Sequence, residues 1–307
     1  MFDVAVIIVN YNSSKYTVEC IQSVIEKTDK SINYQVIVVD NASAYADYLA
    51  VKDGIENITS IPIKLIRSRI NTGFGGGNMA GVLEANAKYL LFLNNDTLLK
   101  NDCISIVKNA LENNPEIGIA GPQAYKGDGS FMVSLDHFAS PARELFSRNV
   151  LEKINPKRYP KRKKKYTEPV KIDYVPGSFM FLKAEDFHAV GGFDNNLFLY
   201  YEETDLCIRL KKIGKHAWLI PQAEFIHFHG GSTGSSLAIK KELKISVLYV
   251  MRKHYGILGH FSVHLYLIIK YLFSSLVKPK YLPLLGLLLR GAPITESLKL
   301  KQVILDK

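Results

Sequence analysis

Hydrophobic and polar positions alternate with two different periods along the first hundred residues. Four continuous apolar runs predict buried parallel strands, at residues 4–9, 35–39, 63–66 and 89–93. Helical periodicity covers residues 15–26, and a helix-like segment runs from about residue 78 to 87. This alternation predicts an α/β fold in which helices cover both faces of a mostly parallel sheet.

Polar residues follow three of the four predicted strands. These residues are Asn10, Tyr11 and Asn12, then Asp40 and Asn41, and finally Asn94, Asn95 and Asp96. Ligands of open parallel sheets collect beyond the carboxyl ends of the strands. We therefore expect these side chains to converge on one rim and to form a nucleotide site there.

The second half of the chain is less regular. Residues 125–171 are polar and basic, and they predict a mobile excursion over the site. Strand character returns at residues 174–182 and 218–221, and residues 203–213 predict a helix. We expect a domain over residues 1–236, with a nucleotide-binding half (1–122) and an acceptor and catalytic half (123–236).

The tail, residues 237–307, interleaves leucine and aromatic residues with Lys and Arg. Its charge-free stretches are shorter than the roughly 20 residues that span a bilayer. The composition favours helices that lie in the membrane interface. A helical cap on the domain, or a homodimer contact, is the alternative.

The formal net charge of +10 is unevenly distributed. Residues 156–171 carry +7 and residues 243–307 carry +8, so the remainder is acidic. Because the residues outside these two basic segments are net acidic, they do not resemble a nucleic-acid-binding domain. The basic run at 161–165 is either a solvated loop or attracted to anionic lipid head groups or a lipid-linked phosphate.

The cysteines and the start of the chain bear on its compartment. Three scattered cysteines fit a reducing compartment, and none has zinc-ligand spacing. The chain begins Met-Phe-Asp and runs directly into a strand, which argues against a secretory signal.

Two aspartates at strand ends are candidate ligand residues. Asp96 could bind a hard divalent cation that bridges diphosphate oxygens, although Asn-Asn-Asp after a strand also suits a simple turn. Asp40 could accept a hydrogen bond from a pyrimidine ring N–H, or it could form an Asx turn or helix cap with Asn41 and Ser43.

The segment Gly73–Ala80 is rich in glycine and opens a helix, as in loops that bring backbone N–H groups to phosphate. Gly75-x-Gly77-x-x-Ala80 also satisfies the loose dinucleotide fingerprint, with Asp96 at about the expected distance. A nucleotide-dependent oxidoreductase is therefore a rival. Against it, the motif follows the third strand and not the first.

Acidic residues and histidines complete the candidate set. A predicted helix begins with three acidic residues, Glu202, Glu203 and Asp205. The helix dipole favours carboxylates at that end. Alternatively, one of them could deprotonate a sugar hydroxyl. His227 and His229 occupy alternate positions, so an extended backbone points them to opposite faces. One could bind the metal while the other packs or binds diphosphate.

Together these residues resemble family 2 glycosyltransferases of the GT-A fold, particularly the bacterial rhamnosyltransferase-like branch of O-antigen and capsule synthesis. The resemblance spans about residues 4–232. It rests on Val9-Asn10-Tyr11-Asn12, Val39-Asp40-Asn41-Ala42-Ser43, Asn71-x-Gly73-Phe74-Gly75-Gly76-Gly77-Asn78, Leu93-Asn94-Asn95-Asp96, Pro176-Gly177-Ser178, Gly191-Gly192-Phe193-Asp194, 202–209 and 227–232.

The resemblance implies residue roles. It implies that Asp40 contacts the pyrimidine, that Asp96 and His227 hold Mn²⁺ or Mg²⁺, and that the acidic motif supplies the catalytic base. Implied nucleotide-binding residues are Asn10, Tyr11, Asn12, Asp40, Asn71, Gly73, Gly75, Asn78, Asn94 and Asn95. Implied catalytic residues are Glu203, Glu202 and Asp205, and candidates for diphosphate or acceptor binding are His229, Ser232, Gly177 and Arg209.

The chain departs from the family pattern at two points. Relatives usually read Glu-Asp where this chain has Glu202-Glu203, so Glu203, one methylene longer, matches the usual base. Asn94-Asn95-Asp96 replaces Asp-x-Asp and leaves one carboxylate. A metal site completed by substrate phosphates, His227 and water is therefore expected.

The expected function is inverting transfer of one sugar from a nucleotide donor to a glycan or polyprenyl-diphosphate-linked acceptor. dTDP-rhamnose is the favoured donor, with UDP-hexose and UDP-galactofuranose as alternatives. The expected location is the cytoplasmic side of a bacterial membrane, at its surface. A polybasic membrane adaptor on a degenerate transferase fold is the non-enzymatic rival.

Overall fold

The computed structural model describes residues 1–228 and 236–306. Within them, nine strands form one sheet: β1 (Phe2–Asn10), β2 (Tyr34–Asn41), β3 (Ile63–Ser68), β4 (Ala87–Asn94), β5 (Thr97–Leu99), β6 (Ile117–Tyr125), β7 (Val170–Ile172), β8 (Phe179–Lys183) and β9 (His216–His227). The helices are α1 (Ser14–Lys27), α2 (Tyr45–Glu56), α3 (Gly73–Leu83), α4 (Cys103–Asn113), α5 (Pro141–Phe146), α6 (Arg148–Ile154), α7 (Ala184–Ala189), α8 (Glu202–Lys212), α9 (Leu237–Val277) and α10 (Leu282–Leu289).

The strand order is β3-β2-β1-β4-β8-β6-β9-β5, and β7 pairs with β9. Strands β1 to β4 are mutually parallel, as their apolar runs predicted, and β8 joins them antiparallel. In the register, Asn10 pairs with Asp40 and Val9 with Asn94. Because parallel strands end at a common edge, the polar residues after β1, β2 and β4 share one rim. The α/β expectation is confirmed.

Helix α3 begins at Gly73 and ends at Leu83, so the predicted helix over 78–87 was misplaced. A Cβ on Gly81 would lie 2.5 Å from Ile7 Cγ2, and one on Gly77 would lie 3.0 Å from Val9 Cγ1. Glycine allows this helix to lie directly against β1. Tertiary packing thus overrides the low helix propensity of the glycine run.

Ion pairs of three arginines order the basic excursion, and one of them reaches Asp173 outside it. The excursion contains α5, α6 and β7. Arg148 lies 2.7 Å from Asp136, Arg158 lies 2.6 Å from Asp173, and Arg162 lies 2.8 Å from Glu152. The three consecutive lysines 163–165 remain exposed.

Helix α9 is broken at Gly256, which has φ 67° and ψ −161°. The arm after the break folds back, because His260 Nδ1 lies 3.0 Å from Leu248 O. Val263 and Leu267 of this arm are buried in one apolar cluster with Met251 of the first arm. By length and composition, α9 is the one helix within residues 1–228 and 236–306 that could cross a membrane.

Candidate active site

A cleft of about 1020 Å³ opens at the carboxyl ends of β1, β2 and β4. The structure brings eleven of the residues singled out from the sequence to its walls. They are Tyr11, Asn71, Gly73, Asn78, Asn94, Asn95, Asp96, Gly177, Glu202, Glu203 and His227. Of the polar residues that follow β1, β2 and β4, Tyr11, Asn41, Asn94, Asn95 and Asp96 therefore reach the cleft wall.

Asp96 and His227 form a pair at the centre of this rim. Strand β5 pairs antiparallel with β9, with Thr97 opposite His227, and Phe228 N donates to Asp96 O at 3.0 Å. This pairing sets His227 Nε2 3.2 Å from Asp96 Oδ1, with both side chains largely buried. A carboxylate oxygen and a neutral imidazole nitrogen are both suitable ligands for Mn²⁺.

Asp96 and His227 would provide only part of the coordination of a metal ion. No group of three or more His, Cys, Asp or Glu side chains with metal-binding spacing occurs among the residues that the structure describes. A cation at Asp96 and His227 would therefore need further ligands from diphosphate oxygens and water. Such incomplete protein coordination is usual for metals that bridge substrate phosphates.

Asn10 and Asp40 lie beneath the cleft and do not line it. Both are fully buried. Asn10 Nδ2 lies within hydrogen-bonding distance of Asp40 Oδ1 (2.9 Å), Ser43 Oγ (3.1 Å) and Asp47 Oδ2 (2.8 Å). Arg67 Nη1 lies 3.9 Å from Asp40 Oδ2. Asp40 Oδ2 has no hydrogen-bond partner within the described residues, and its contact with a pyrimidine stays a prediction.

Asn12 also stays outside the cleft. Its Oδ1 accepts from Ala44 N at 2.8 Å, and its own N–H donates to Ser43 Oγ at 2.9 Å. These bonds tie the loop after β1 to the loop after β2. Tyr11, between Asn10 and Asn12, is left with a partly exposed side chain on the cleft wall.

Asn41, which follows Asp40, organises the glycine loop. Its Nδ2 donates to Asn71 Oδ1 (3.1 Å) and to Gly73 O (3.0 Å), and its Oδ1 accepts from Thr72 N (3.0 Å). Gly73 has φ 76°, and a Cβ there would lie 2.0 Å from Phe198 O. Only glycine fits this conformation and this contact.

The remaining glycines of the fingerprint serve packing. Gly75 lies against Phe193, and Gly77 lies against Val9. Neither is on the cleft wall, so Gly75 differs from the expectation that it binds nucleotide. Gly77 faces β1, where a larger side chain would meet Val9, whereas Gly75 faces Phe193 and Glu202.

The acidic motif enters the cleft through an unusual turn. Tyr200 and Tyr201 both have φ 72°, a region that costs non-glycine residues conformational energy. This turn sets Glu202 and Glu203 as the first residues of α8, on the cleft wall. Backbone strain of this kind is found where the surrounding structure fixes a functional group.

The two glutamates have unusual protonation behaviour. Burial raises the pKa of Glu202 well above its ordinary value, and the neighbouring Glu203 raises it further. Glu202 Oε1 has no hydrogen-bond partner within the described residues. Burial also raises the pKa of Glu203, against the opposing effects of its own N–H, of Arg143 and of the Gly177 N–H. A carboxylate of raised pKa is a stronger general base than a solvated one.

Asp205 and Arg209 face away from the cleft, in contrast to their expected roles. Asp205 is fully buried, and it lies 2.7 Å from His254 Nε2 and 2.6 Å from Lys253 Nζ of α9. Arg209, one turn further along α8, lies 2.7 Å from Asp205 Oδ2. These contacts hold α8 against α9, and neither Asp205 nor Arg209 lines the cleft.

Several cleft residues were not anticipated. Lys126 and Lys163 contribute positive charge, Arg143 lies near Glu203, and Leu298 and Gln302 approach from the far end of the chain. Arg143 could not be singled out because nothing in the local sequence distinguishes it from other basic residues. His229 and Ser232, two predicted site residues, lie outside the described residues.

Comparisons with known proteins agree with this geometry. The family model described as "Glycosyl transferase family 2" matches residues 5–189. Rhamnosyltransferase WbbL of Escherichia coli (strain K12) is 27% identical over 259 residues, which cover 81% of this chain and 93% of WbbL. An N-acetylglucosaminyl-diphospho-decaprenol L-rhamnosyltransferase of Mycobacterium tuberculosis (strain H37Rv) is 24% identical over 280 residues, or 82% of this chain and 85% of the relative.

A solved structure shares the fold. GalNAc-T7, crystallised with UDP, GalNAc and Mn²⁺, superimposes with a TM-score of 0.63 at 17% identity, over 88% of this chain and 51% of that protein. The likeness confirms a GT-A-like arrangement of a mostly parallel mixed sheet flanked by helices. At this identity it bears on the fold alone.

Proposed function

This chain belongs to glycosyl transferase family 2, and we propose that it is an inverting, metal-dependent transferase whose favoured donor is dTDP-rhamnose. That it is a glycosyltransferase follows from the family, and the oxidoreductase alternative is therefore wrong. The observation that carries the finer proposal is the shared cleft. Its walls hold the Asp96–His227 pair and the half-buried Glu203 together.

The proposed reaction is a single displacement. Glu203 accepts the proton of the acceptor hydroxyl as that oxygen bonds to the anomeric carbon of the donor sugar. The bond from this carbon to the diphosphate breaks, and its electron pair leaves with the nucleotide diphosphate. Asp96 and His227 would hold a Mn²⁺ or Mg²⁺ ion, which supplies positive charge to the departing diphosphate.

The donor is assigned from the rim and from the relatives. Tyr11 offers a half-exposed ring that can stack on a base, beside Asn71 and the fixed glycine loop. Both named bacterial relatives are rhamnosyltransferases, which supports dTDP-rhamnose. UDP-hexose and UDP-galactofuranose are the competing donors.

The acceptor is proposed to be a polyprenyl-diphosphate-linked glycan. The mycobacterial relative is named for a diphospho-decaprenol acceptor. Lys126 and Lys163 are exposed lysines on the cleft wall, where they could attract such a diphosphate.

The surface of the tail supports a membrane location. The second arm of α9 exposes large apolar side chains three or four residues apart, at Leu258, Phe261, Leu265, Ile269, Leu272 and Leu276. Lys270, Lys278 and Lys280 lie among or just beyond them. An apolar helical face with adjacent lysines suits the interface of an anionic membrane. We therefore propose a peripheral site on the cytoplasmic face of the cell membrane.

A donor panel tests the proposal. The protein is incubated with dTDP-rhamnose, UDP-glucose or UDP-galactofuranose and either Mn²⁺ or Mg²⁺, and released nucleotide diphosphate is measured. We expect metal-dependent release, fastest with dTDP-rhamnose. Metal-independent release would overturn the metal assignment. Absence of release with every donor, while liposome binding persists, would favour the adaptor alternative.

A further inference from the structure

A second cavity lies beside the break in α9. Its volume is about 570 Å³, and none of the residues that line it lines the cleft. Its walls come mainly from the basic excursion, the last turns of α8 and the end of the first arm of α9. Six of its lining residues are basic or aromatic: Arg158, Lys211, Lys212, Phe138, Tyr159 and Tyr255. The second cavity therefore combines positive charge with aromatic walls.

The second cavity holds three basic side chains against one carboxylate. That carboxylate, Asp173, is 4% exposed and already bound, because its Oδ1 lies 2.6 Å from Arg158 Nη1 and its Oδ2 accepts from Phe138 N at 3.1 Å. Within residues 1–228 and 236–306, neither Lys211 nor Lys212 pairs with a carboxylate. The excess positive charge would be neutralised by an anion in the cavity.

Lys211 lies in surroundings that suit an anion partner. Burial lowers its pKa, and the charge of Arg158 lowers it further, against the opposing effect of Asp173. A bound anion would favour the charged ammonium. Basic residues in the last turn of a helix also complement the helix dipole, but that effect accounts neither for the cavity nor for Arg158, which comes from the excursion.

An exposed apolar surface begins directly beside the second cavity. Tyr255, on the cavity wall, is followed after the break by Ile257 and Leu258, which are 66% and 83% exposed. A Cβ on Gly259 would lie 3.4 Å from Pro141 Cγ, so the second arm of α9 packs against another residue of the cavity wall. An anionic group in the cavity would therefore leave any apolar chains attached to it within reach of this arm.

The helices of the excursion extend the same apolar and basic surface. Helix α5 starts at the cavity wall and ends at Phe146, which is exposed. Helix α6 follows directly and exposes Val150 and Ile154, with exposed lysines at Lys153 and Lys157. Exposed apolar side chains beside lysines suit the interface of an anionic membrane. A free phosphate ion would leave this apolar surface without a partner, whereas a phospholipid would cover it.

We propose that the second cavity is a binding site for the phosphodiester head group of an anionic phospholipid, with Arg158, Lys211 and Lys212 as its ligands. The acyl chains then lie along the second arm of α9. The inference rests on the proposed membrane location and not on the proposed donor, metal or base. It also distinguishes one defined lipid site from a general attraction of the exposed lysines 163–165 to the membrane.

Vesicle co-sedimentation of the full-length chain tests the inference. The vesicles are phosphatidylcholine alone or phosphatidylcholine and phosphatidylglycerol in equal parts, at one fixed ionic strength. The double variant Lys211→Gln with Lys212→Gln removes two of the proposed ligands, and Ala142→Phe fills the cavity without a change of charge. Lys164→Gln with Lys165→Gln is the matched control, because it removes the same charge from exposed residues that line neither the cleft nor the second cavity.

We expect the Lys211 and Lys212 double variant to lower the partition coefficient on mixed vesicles by about tenfold or more. Ala142→Phe should lower it as well. The control should lower it by less than about threefold, since salt screens exposed charges that hold no head group. Binding to phosphatidylcholine alone should be weaker than to mixed vesicles, because the choline cation is repelled by the cavity.

Equal losses in the two double variants, or no loss in either, would overturn the second cavity as a lipid site and leave the membrane location standing. If the wild type failed to sediment with mixed vesicles, the membrane location would fail and the inference with it. Calorimetry with inorganic phosphate distinguishes the other source of the anion. Phosphate binding that is lost in the Lys211 and Lys212 double variant, with vesicle binding unchanged, would make this a site for free phosphate and overturn the lipid assignment.

Discussion

His227 Nε2 lies 3.2 Å from Asp96 Oδ1, although the two residues come from opposite halves of the chain. The antiparallel pairing of β5 with β9 holds them there, with Thr97 opposite His227. The backbone pairing that positions the two side chains therefore does not depend on either side chain. That property makes the metal proposal testable by substitution.

Asp96→Asn and His227→Asn should each raise the Mn²⁺ concentration needed for half-maximal nucleotide release. Loss of one of two protein ligands should raise it by at least about tenfold. Asp53→Asn, an exposed aspartate of α2, is the control and should leave the metal dependence unchanged. Unaltered Mn²⁺ dependence in both site variants would show that the metal binds elsewhere.

Glu203→Gln should reduce kcat by about 10²- to 10⁴-fold, because an amide cannot accept the proton. The KM for the donor should change little. Glu203→Asp should retain part of the activity, whereas exposed Glu185→Gln should retain all of it. A Glu203→Gln variant with full kcat would assign the base to another residue.

The pH dependence of transfer should reflect the raised pKa of Glu203. Burial shifts this pKa above 4.5, and the base must be ionised to act. Activity should therefore fall as the pH drops through the raised pKa, so that the acidic limb of kcat/KM lies above pH 4.5. An acidic limb at or below the pKa of a solvated glutamate would contradict this environment.

Asp205→Asn should lower the free energy of unfolding and leave the transfer activity unchanged. Burial alone would raise the pKa of Asp205, but His254, Arg209 and Lys253 together lower it to about 2. The pKa of Asp205 in the folded protein lies below the ordinary value of 3.8. Ionised Asp205 therefore adds to the free energy of unfolding near pH 7, and this contribution is lost as the pH falls toward 2.

Urea unfolding at several pH values measures how much the contacts of Asp205 contribute to stability. The Asn variant should be less stable at pH 7 by on the order of 2 kcal/mol, and the difference should shrink below pH 4. Asp128→Asn, in an exposed loop, is the control. If folded Asp205→Asn protein had lost transfer activity, Asp205 would have a role in the cleft after all.

Leu258→Glu should weaken binding to vesicles that contain phosphatidylglycerol. Leu258 is 83% exposed on the apolar face of α9, and Leu83 at the end of α3 is equally exposed. A charge at Leu258 would enter the membrane interface, whereas one at Leu83 would remain in water. Co-sedimentation that fell equally in Leu83→Glu, or in neither variant, would reject this docking face.

The sequence predicted the parts of the fold that rest on long apolar runs. Strands β1 to β4 are such runs, and their parallel order brings Tyr11, Asn94 and Asp96 to one rim. Helix α3 was misplaced because its glycines are selected by contact with Ile7 and Val9, which no local pattern reveals.

Side-chain direction was the least predictable feature of the site. Asp40 and Asn41 are adjacent, yet Asp40 is buried under the rim while Asn41 faces the cleft, because successive side chains of a strand point to opposite sides. Asp205 turned toward α9 because of partners that lie far along the chain. The attachment of Leu305 to Arg69 has no sequence signature, since one bond joins two backbone groups and the other joins the Arg69 side chain to a backbone carbonyl.

The anomeric configuration of the product tests the central claim most directly. Product formed from dTDP-rhamnose or the best donor of the panel is examined by NMR, and its new glycosidic linkage is compared with the donor's. A single displacement with Glu203 as base inverts the configuration at the anomeric carbon. A retained configuration would contradict the mechanism, whichever donor and metal the protein uses.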